Sequence, residues 1–93
     1  MSPWYVYIVR CGDNSLYTGI ATDVDRRFEE HQEHRGARYL RGRAPLQLVF
    51  HRKIGTRSQA SKIEYQIKRL SKDRKEDLIE RSDMIEEMIG QVD

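Results

Sequence analysis

The sequence predicts an α/β (α+β) domain in which helices flank a small, three-stranded, mainly antiparallel sheet, in the order β-β-α-β-α-α. Three observations support this fold class. Two runs rich in aromatic and β-branched residues lie on either side of a short turn, and a third apolar run follows near the middle of the chain. The remaining segments carry apolar residues at helical spacing.

The first two strands are predicted to form a β-hairpin. Residues 4–10 and 16–20 are rich in side chains that favour strands, among them tyrosine, valine and isoleucine. The intervening Gly12-Asp13-Asn14-Ser15 is typical of turns, because glycine and asparagine accept backbone angles that other residues avoid.

The first helix is predicted to begin at Thr22 or Asp23, since either side chain can accept a hydrogen bond from the first helical turn. Val24 and Phe28 give this helix an apolar stripe, and we expect it to end near Gly36. Residues 35–45 lack periodicity and predict a basic loop.

The second half of the chain begins with a predicted third strand at residues 46–51. Thr56 then caps a second helix, and Gln59 completes a capping box. One face of this helix carries Ala60, Ile63, Ile67 and Leu70.

Ser71 is predicted to start a further helical segment that holds Leu78 and Ile79. This segment either continues or breaks once before a last group of apolar residues, which comprises Met84, Ile85, Met88 and Ile89.

Size and composition favour a single domain over residues 1–93, with enough apolar residues for a modest core. No apolar run approaches the ~20 residues of a membrane span, and no signal peptide is visible at the N-terminus. The one cysteine, Cys11, excludes an internal disulfide and a cysteine-based zinc site. We therefore expect a cytoplasmic protein without a membrane anchor.

Charge is distributed unevenly along the chain. Residues 1–75 hold sixteen bases and eight acids, whereas residues 76–93 hold seven acids and one base. A basic body suits a polyanion, because each neutralised phosphate releases counterions. A solvated basic surface beside an acidic tail is about as compatible with the charge alone.

Two tyrosine-containing triplets in the hairpin, Tyr5-Val6-Tyr7 and Tyr17-Thr18-Gly19, resemble the paired signature of the GIY-YIG nuclease superfamily. Arg27 and His31, four residues apart on the first helix, resemble the helical arginine and the following histidine or asparagine of that family. Glu64, inside the helix after the third strand, occupies the place of its metal-binding glutamate.

The resemblance covers residues 4–75 and is strongest to the short single-domain bacterial branch, the YhbQ-like proteins. The chain is also similar to the N-terminal nuclease domain of the excision-repair endonuclease UvrC. The resemblance implies the GIY-YIG fold and a metal-dependent endonuclease that hydrolyses phosphodiester bonds in DNA, in repair or recombination, with one Mg²⁺ or Mn²⁺. RNA is not excluded as a substrate. Alternatives are a non-catalytic nucleic-acid-binding module that keeps the fold, and a protein-interaction module whose acidic helical segment, residues 76–93, docks a partner.

The sequence departs from the family in three respects. Tyr5 stands where the family name has glycine, and Thr18 stands where it has isoleucine. Neither position is used for chemistry in the family. No DNA-binding domain is appended, so we expect activity in isolation to be weak and poorly selective.

The family match and the chemistry of phosphodiester hydrolysis suggest a role for each polar residue. Arg27 presents a planar cation that matches two phosphate oxygens, although it could equally be a surface arginine beside Asp23 or Glu30. His31, on the same helical stripe, could accept or relay a proton, or could be solvated among glutamates.

The two tyrosines of the hairpin, Tyr7 and Tyr17, are candidates for the residue that orients or deprotonates the attacking water. Tyr17 is the first choice and Tyr7 the second, while cross-strand packing is the alternative. A single carboxylate, Glu64, can hold Mg²⁺ with waters and phosphate, or it can form an ion pair with Lys68. Gly19 is expected to allow a close approach that supports the site.

The basic loop and the second helix supply candidate nucleic-acid contacts. Arginines can hold phosphate and an aromatic ring can stack on a base, although a mobile polar loop is nearly as compatible with the pattern. The residues expected to bind nucleic acid are Arg38, Tyr39, Arg41, Arg43 and Lys68.

Overall fold

The computed structural model describes residues 2–91. Its sheet has three strands, β1 (Trp4–Arg10), β2 (Leu16–Ala21) and β3 (Gln47–Gly55). They lie in the order β2-β1-β3, and both pairings are antiparallel. The predicted fold class is confirmed. β3 is longer than the predicted 46–51, because β1 continues to pair with it until Trp4 meets Gly55.

Four α-helices surround the sheet: α1 (Val24–Gln32), α2 (Arg57–Lys68), α3 (Lys72–Glu80) and α4 (Ile85–Gly90). Three of them begin where capping was predicted, with Asp23, Thr56 and Ser71 each accepting a backbone N–H of the first turn. None of the helices in residues 2–91 is long and apolar enough to cross a membrane.

The first helix ends earlier than predicted, at Gln32 instead of near Gly36. His34 adopts φ 62°, a left-handed conformation that stops the helix. The following segment, predicted as an aperiodic loop, contains a short 3₁₀ helix at Arg38–Leu40 that buries Leu40. The segment is therefore anchored in the core.

Side chains of β1 alternate between two hydrophobic clusters, one on each face of the sheet. Val6 and Ile8 join the first cluster, into which α2 also places Ile63 and Ile67. Tyr7 belongs to the second cluster, which is completed by residues of α1 and of the segment after it. Both faces of the sheet are thus covered.

The C-terminal helices belong to the core of the first cluster. Leu78 on α3 and Ile85 on α4 are fully buried, and Met84, Met88 and Ile89 pack against them. Of the two arrangements that the sequence left open, continuation or one break, the structure has the break: α3 ends at Glu80 and a 3₁₀ helix, Ser82–Met84, precedes α4.

Ion pairs hold the acidic residues of these C-terminal helices to the basic body. Glu76 lies 2.6 Å from Arg10 on β1 and 3.0 Å from Lys72, and Glu86 pairs with Arg52 on β3. The side-chain hydrogen bond from Arg10 lowers the pKa of Glu76 to about 2. At neutral pH these acids are therefore partly neutralised by their own chain.

Candidate active site

The centre of the candidate site is a buried hydrogen bond between β1 and α1. The Tyr7 hydroxyl lies 2.7 Å from Nε2 of His31, and both residues are at most 2% exposed. His31 is buried because α1 places it on the same side as Val24 of the second cluster, whereas Glu29 and Glu33 are exposed. The alternative of a solvated histidine does not describe this ring.

The second ring nitrogen of His31 determines its tautomer. The backbone N–H of Ala37 donates to Nδ1 over 3.0 Å, so Nδ1 carries no proton. Nε2 must then carry the proton and donate to the Tyr7 oxygen. Burial, followed by the charge of Arg27, lowers the pKa of His31 below its ordinary 6.5, which agrees with a neutral ring.

Two glycines leave the space that these side chains occupy. A Cβ at Gly19, opposite Tyr7 on β2, would lie 2.5 Å from the Tyr7 hydroxyl. A Cβ at Gly36 would overlap Nδ1 of His31. The close approach predicted at Gly19 is therefore present, and it admits the Tyr7 side chain.

Tyr17 lies beside this hydrogen-bonded pair. Its ring centroid is 6.5 Å from that of Tyr7 and 5.7 Å from that of His31. Tyr5, for which packing was expected, lies partly buried against the second cluster.

Arg27 and Glu64, the two charged residues expected in the site, both affect the pKa of Tyr7. Burial and the neighbouring Tyr17 raise the pKa of Tyr7 from 10.0 to about 12. Arg27 opposes this increase, and Glu64 on α2 adds to it. All five residues predicted for catalysis thus lie within electrostatic reach of the Tyr7 hydroxyl.

Each of these charged residues also has an ion-pair partner. Arg27 Nη1 lies 3.1 Å from Glu30, and Glu64 Oε2 lies 3.3 Å from Lys68 Nζ. The side-chain hydrogen bond to Glu30 is the main reason why the pKa of Arg27 is raised. These are the surface pairings that the sequence left open as alternatives, and they are compatible with exchange for phosphate or metal.

Glu64 is the carboxylate that acts on the pKa of Tyr7, and it is the candidate ligand for a divalent ion. No group of three His, Cys, Asp or Glu side chains in residues 2–91 is arranged to hold a metal. Glu64 is half-buried, with 23% of its side chain exposed. One carboxylate completed by waters and a substrate phosphate suits Mg²⁺, so the residues present fit such an ion.

The basic segment contacts the site through Tyr39. Its ring stacks on Tyr17 with centroids 5.8 Å apart. The Arg43 guanidinium lies over the Tyr39 ring, 4.2 Å from its centroid, and pairs with Asp13 at 2.5 Å. Arg38 and Arg41 are exposed in the same segment.

Sequence reasoning missed the contributions of Gly36 and Ala37. Both were expected in a loop, yet one makes room for the His31 ring and the other fixes its tautomer. The Ala37 contact uses a backbone N–H, which no side-chain pattern reveals. A glycine four residues after the end of the histidine-bearing helix was the available signal.

This fold and site define a GIY-YIG domain, and comparison with known proteins agrees. A family model described as the GIY-YIG catalytic domain matches residues 3–77. The chain belongs to this family, which confirms the resemblance carried by the two triplets. Membership supports a nuclease-type function that acts on nucleic acid, and nucleases of this family typically use a divalent metal.

Among its relatives, the chain is similar to the UPF0213 protein YhbQ of Salmonella arizonae, with 48% identity over 97% of this chain and 90% of the relative. The UPF0213 protein YhbQ of Escherichia coli K12 is 51% identical over 85% of this chain and 79% of its own length.

Two solved structures share the fold. The UPF0213 protein BH0048 of Bacillus halodurans has a TM-score of 0.54 and 45% identity, covering 83% of this chain and 82% of its own. The protein EF2693 of E. faecalis has a TM-score of 0.63 and 34% identity, covering 90% of both chains.

Proposed function

We propose that this protein is a metal-dependent endonuclease that hydrolyses phosphodiester bonds in DNA in the cytoplasm, in repair or recombination. One observation carries the proposal: the buried Tyr7–His31 pair is adjacent to Tyr17 and within electrostatic reach of both Arg27 and Glu64. Packing alone does not require two tyrosines, a histidine, an arginine and a carboxylate to converge.

In the proposed reaction, Tyr17 first gives up its phenol proton to solvent and then, as the phenolate, accepts the proton of the attacking water. Tyr7 is less suited to this role, because its pKa of about 12 keeps it protonated at neutral pH. Its hydroxyl already accepts a hydrogen bond from His31, so its own proton is free to be donated to water or phosphate. Tyr7 therefore positions the nucleophile or the phosphate.

His31 positions Tyr7 and does not relay its proton. A relay would require an unprotonated Nε2, whereas the Ala37 N–H leaves Nδ1 as the unprotonated nitrogen. Arg27 holds the nonbridging oxygens, and the negative charge that builds on them in the transition state is where a fixed guanidinium contributes most. Glu64 would hold the Mg²⁺ or Mn²⁺, which when bound supplies further positive charge for the nonbridging and leaving oxygens.

A nicking assay tests the proposal. Supercoiled plasmid is incubated with the protein in Mg²⁺, in Mn²⁺ and in excess chelator, and the nicked form is quantified. We expect nicking with either metal and none with chelator. Nicking that persists in chelator would remove the metal from the mechanism.

Two variants on α2 separate metal binding from ion pairing. Glu64→Gln should lose Mn²⁺ binding and nicking, because the amide keeps the shape and loses the charge. Lys68→Gln should keep or strengthen Mn²⁺ binding, because a cation 3.3 Å from the carboxylate is removed. Equal Mn²⁺ affinity in wild type and both variants would mean that Glu64 serves only the ion pair.

A non-catalytic nucleic-acid-binding module is the second candidate function. The observation in its favour is that Arg27 and Glu64 both have ion-pair partners within the chain. The same assay distinguishes the two functions: salt-dependent DNA binding without metal-dependent nicking would support the binding module.

A further inference from the structure

One basic surface has no part in the site described above: a groove of about 670 Å³ along the outer side of α2. Lys62, Tyr65 and Arg69 line it, together with four uncharged residues, Ser58, Ser61, Gln66 and Gln91. Among the lining residues that the structure describes, within 2–91, none carries a carboxylate. In a chain with nearly as many acids as bases, this makes the groove a locally positive surface.

An exposed aromatic ring forms its centre. In residues 2–91, the large hydrophobic side chains that remain exposed are Tyr39, at 45%, and Tyr65, at 62%. Each lies beneath an arginine: Arg43 over Tyr39, and Arg69 at 5.5 Å from the Tyr65 ring centroid. Exposing such rings costs free energy that burial against a ligand would recover.

The two Arg–Tyr pairs flank the candidate active site. Tyr39 stacks on Tyr17, while Tyr65 follows Glu64 directly on α2. Lys68 is four residues from Glu64 and three from Tyr65, so it lies between them on the helix surface. A nucleic-acid strand that occupies the candidate active site can therefore continue past Lys68 into the groove.

We propose that the α2 groove binds the flank of the substrate as a single strand, with a base stacked on Tyr65 and phosphates held by Lys62 and Arg69. The inference rests on the proposed function, because it extends the substrate beyond that site. Bases in a duplex are stacked on their neighbours and do not offer a face to a protein ring, whereas unpaired bases do. Serine and glutamine side chains supply neutral donors to the sugar–phosphate chain.

Binding to fluorescent oligonucleotides in chelator, where no cleavage interferes, tests the groove. The probes are a 20-nucleotide single strand and the blunt duplex of the same sequence. Tyr65→Leu should weaken single-strand binding by about 10-fold or more and leave duplex binding almost unchanged, because only the stacked base is lost. Tyr65→Phe keeps a ring and should retain wild-type affinity.

The charges are tested with a matched pair of lysines. Lys62→Gln should lower the salt dependence of single-strand binding by about 0.7 in the slope of log K against log salt. Lys53→Gln, at another exposed lysine that lies on β3 outside the groove, removes the same charge and should have a smaller effect. Equal effects of the two substitutions would mean that the groove contributes nothing beyond the net charge of the protein.

The result that overturns the inference is single-strand binding that Tyr65→Leu leaves unchanged, or weakens no more than duplex binding. Absence of DNA binding by the wild type would overturn it as well. Failure of the nuclease proposal is seen separately: a chain that binds single strands through Tyr65 but nicks no plasmid has the groove without the activity. A chain that nicks normally with Tyr65→Leu has the activity without the groove.

Discussion

The two faces of the sheet are built from neighbouring residues of one strand and yet differ in kind. The face covered by α2, α3 and α4 is aliphatic apart from Phe50, with Val6 and Ile8 of β1 packed on residues such as Ile63, and is called the aliphatic face below. The opposite face, called the tyrosine face below, carries Tyr7 beside Tyr17. The Tyr7 hydroxyl is hydrogen-bonded to His31. The period of two along a strand thus separates stability from chemistry.

This difference predicts where substitutions should affect the fold and where they should affect activity. On the aliphatic face, nearly every buried group contributes by burial alone. On the tyrosine face, burial is shared with hydrogen bonds and charges whose partners lie on β1, β2, α1 and the segment after it. Substitutions on each face therefore test whether stability and activity are separated in this way.

The largest effect is expected from truncation after Lys75. The deletion removes Leu78 and Ile85, which are fully buried on the aliphatic face. Each loss is comparable with a large-to-small core substitution of about 2–5 kcal/mol, and the total approaches the stability of a small domain. We expect an unfolded chain by circular dichroism.

From the sequence, removing the acidic tail is expected to strengthen DNA binding provided that the last group of apolar residues, Met84, Ile85, Met88 and Ile89, does not cover the core. Ile85 is buried and the other three pack against the first cluster, so this condition is not met. The control keeps the apolar residues and removes only charge: Glu80→Gln with Glu87→Gln, both at exposed positions. This variant should remain folded and bind DNA more tightly at low salt, because repulsion of phosphate falls. A truncated chain with the thermal stability of the wild type would show that α3 and α4 are dispensable.

The next effect belongs to the tyrosine face. Arg27→Ala should reduce nicking by roughly 10²-fold or more, the range seen when one charge-stabilising group is removed, and should leave the fold intact. Arg26→Ala is the matched control, since Arg26 is on the same helix and 78% exposed, and also pairs with Glu30. Similar nicking by the two variants would contradict a catalytic role for Arg27.

The sequence predicted the aliphatic face more completely than the tyrosine face. Helical spacing and capping residues located α2 and α3, because periodicity and end chemistry are local properties. The end of α1 and the anchoring of Leu40 were missed, since a left-handed His34 and a buried 3₁₀ turn depend on tertiary contacts.

The site residues were predicted from family resemblance together with their chemistry, and the structure brings them together. What the sequence could not supply was their relation to the backbone. The proton on Nε2 of His31 follows from the Ala37 N–H, a group that every residue except proline possesses. The groove on α2 was missed for a related reason: Tyr65 and Arg69 meet only on a formed helix.

A smaller effect is expected from Gly36→Ala. The new Cβ would overlap Nδ1 of His31, so the ring or the segment must shift, at a cost of about 1–3 kcal/mol. Chemical denaturation measures the loss, and ¹⁵N NMR of the imidazole reports whether Nδ1 remains the unprotonated nitrogen. Gly90→Ala is the control, because nothing lies within 4 Å of a Cβ there. Equal stability of Gly36→Ala and wild type would contradict the tight fit.

The pH dependence of stability is a further test of the difference between the two faces, because His31 lies on the tyrosine face. The pKa of His31 is lowered in the folded protein, so below pH 6.5 the unfolded chain binds a proton that the folded chain does not. The contribution of His31 to the free energy of unfolding is therefore fully present above pH 6.5. It is lost as the pH falls toward the folded pKa, by at most about 1.4 kcal/mol per pH unit. His31→Gln should flatten this part of the profile in denaturation experiments. An identical slope in the variant would mean that His31 does not titrate there.

The smallest effect is a gain, and it comes from the one polar defect on the aliphatic face. Thr18 pairs with Ile8 across the hairpin and is 2% exposed, and in residues 2–91 its Oγ1 is the buried side-chain oxygen or nitrogen that lacks a hydrogen-bond partner. An unsatisfied buried hydroxyl costs more than an apolar group of the same shape. Thr18→Val replaces it at nearly equal volume and should raise the free energy of unfolding by about 1 kcal/mol.

Two further measurements make this last test specific. Thr18→Ser keeps the hydroxyl and loses the methyl group, so it should be less stable than wild type, because it retains the defect and adds a void. Nicking by Thr18→Val should equal that of wild type, since residues opposite one another on an antiparallel pair share a face, and Ile8 points away from Tyr7. A valine variant that is more stable but inactive would show that the two faces are coupled, whereas a less stable one would show that Thr18 has a partner in solution.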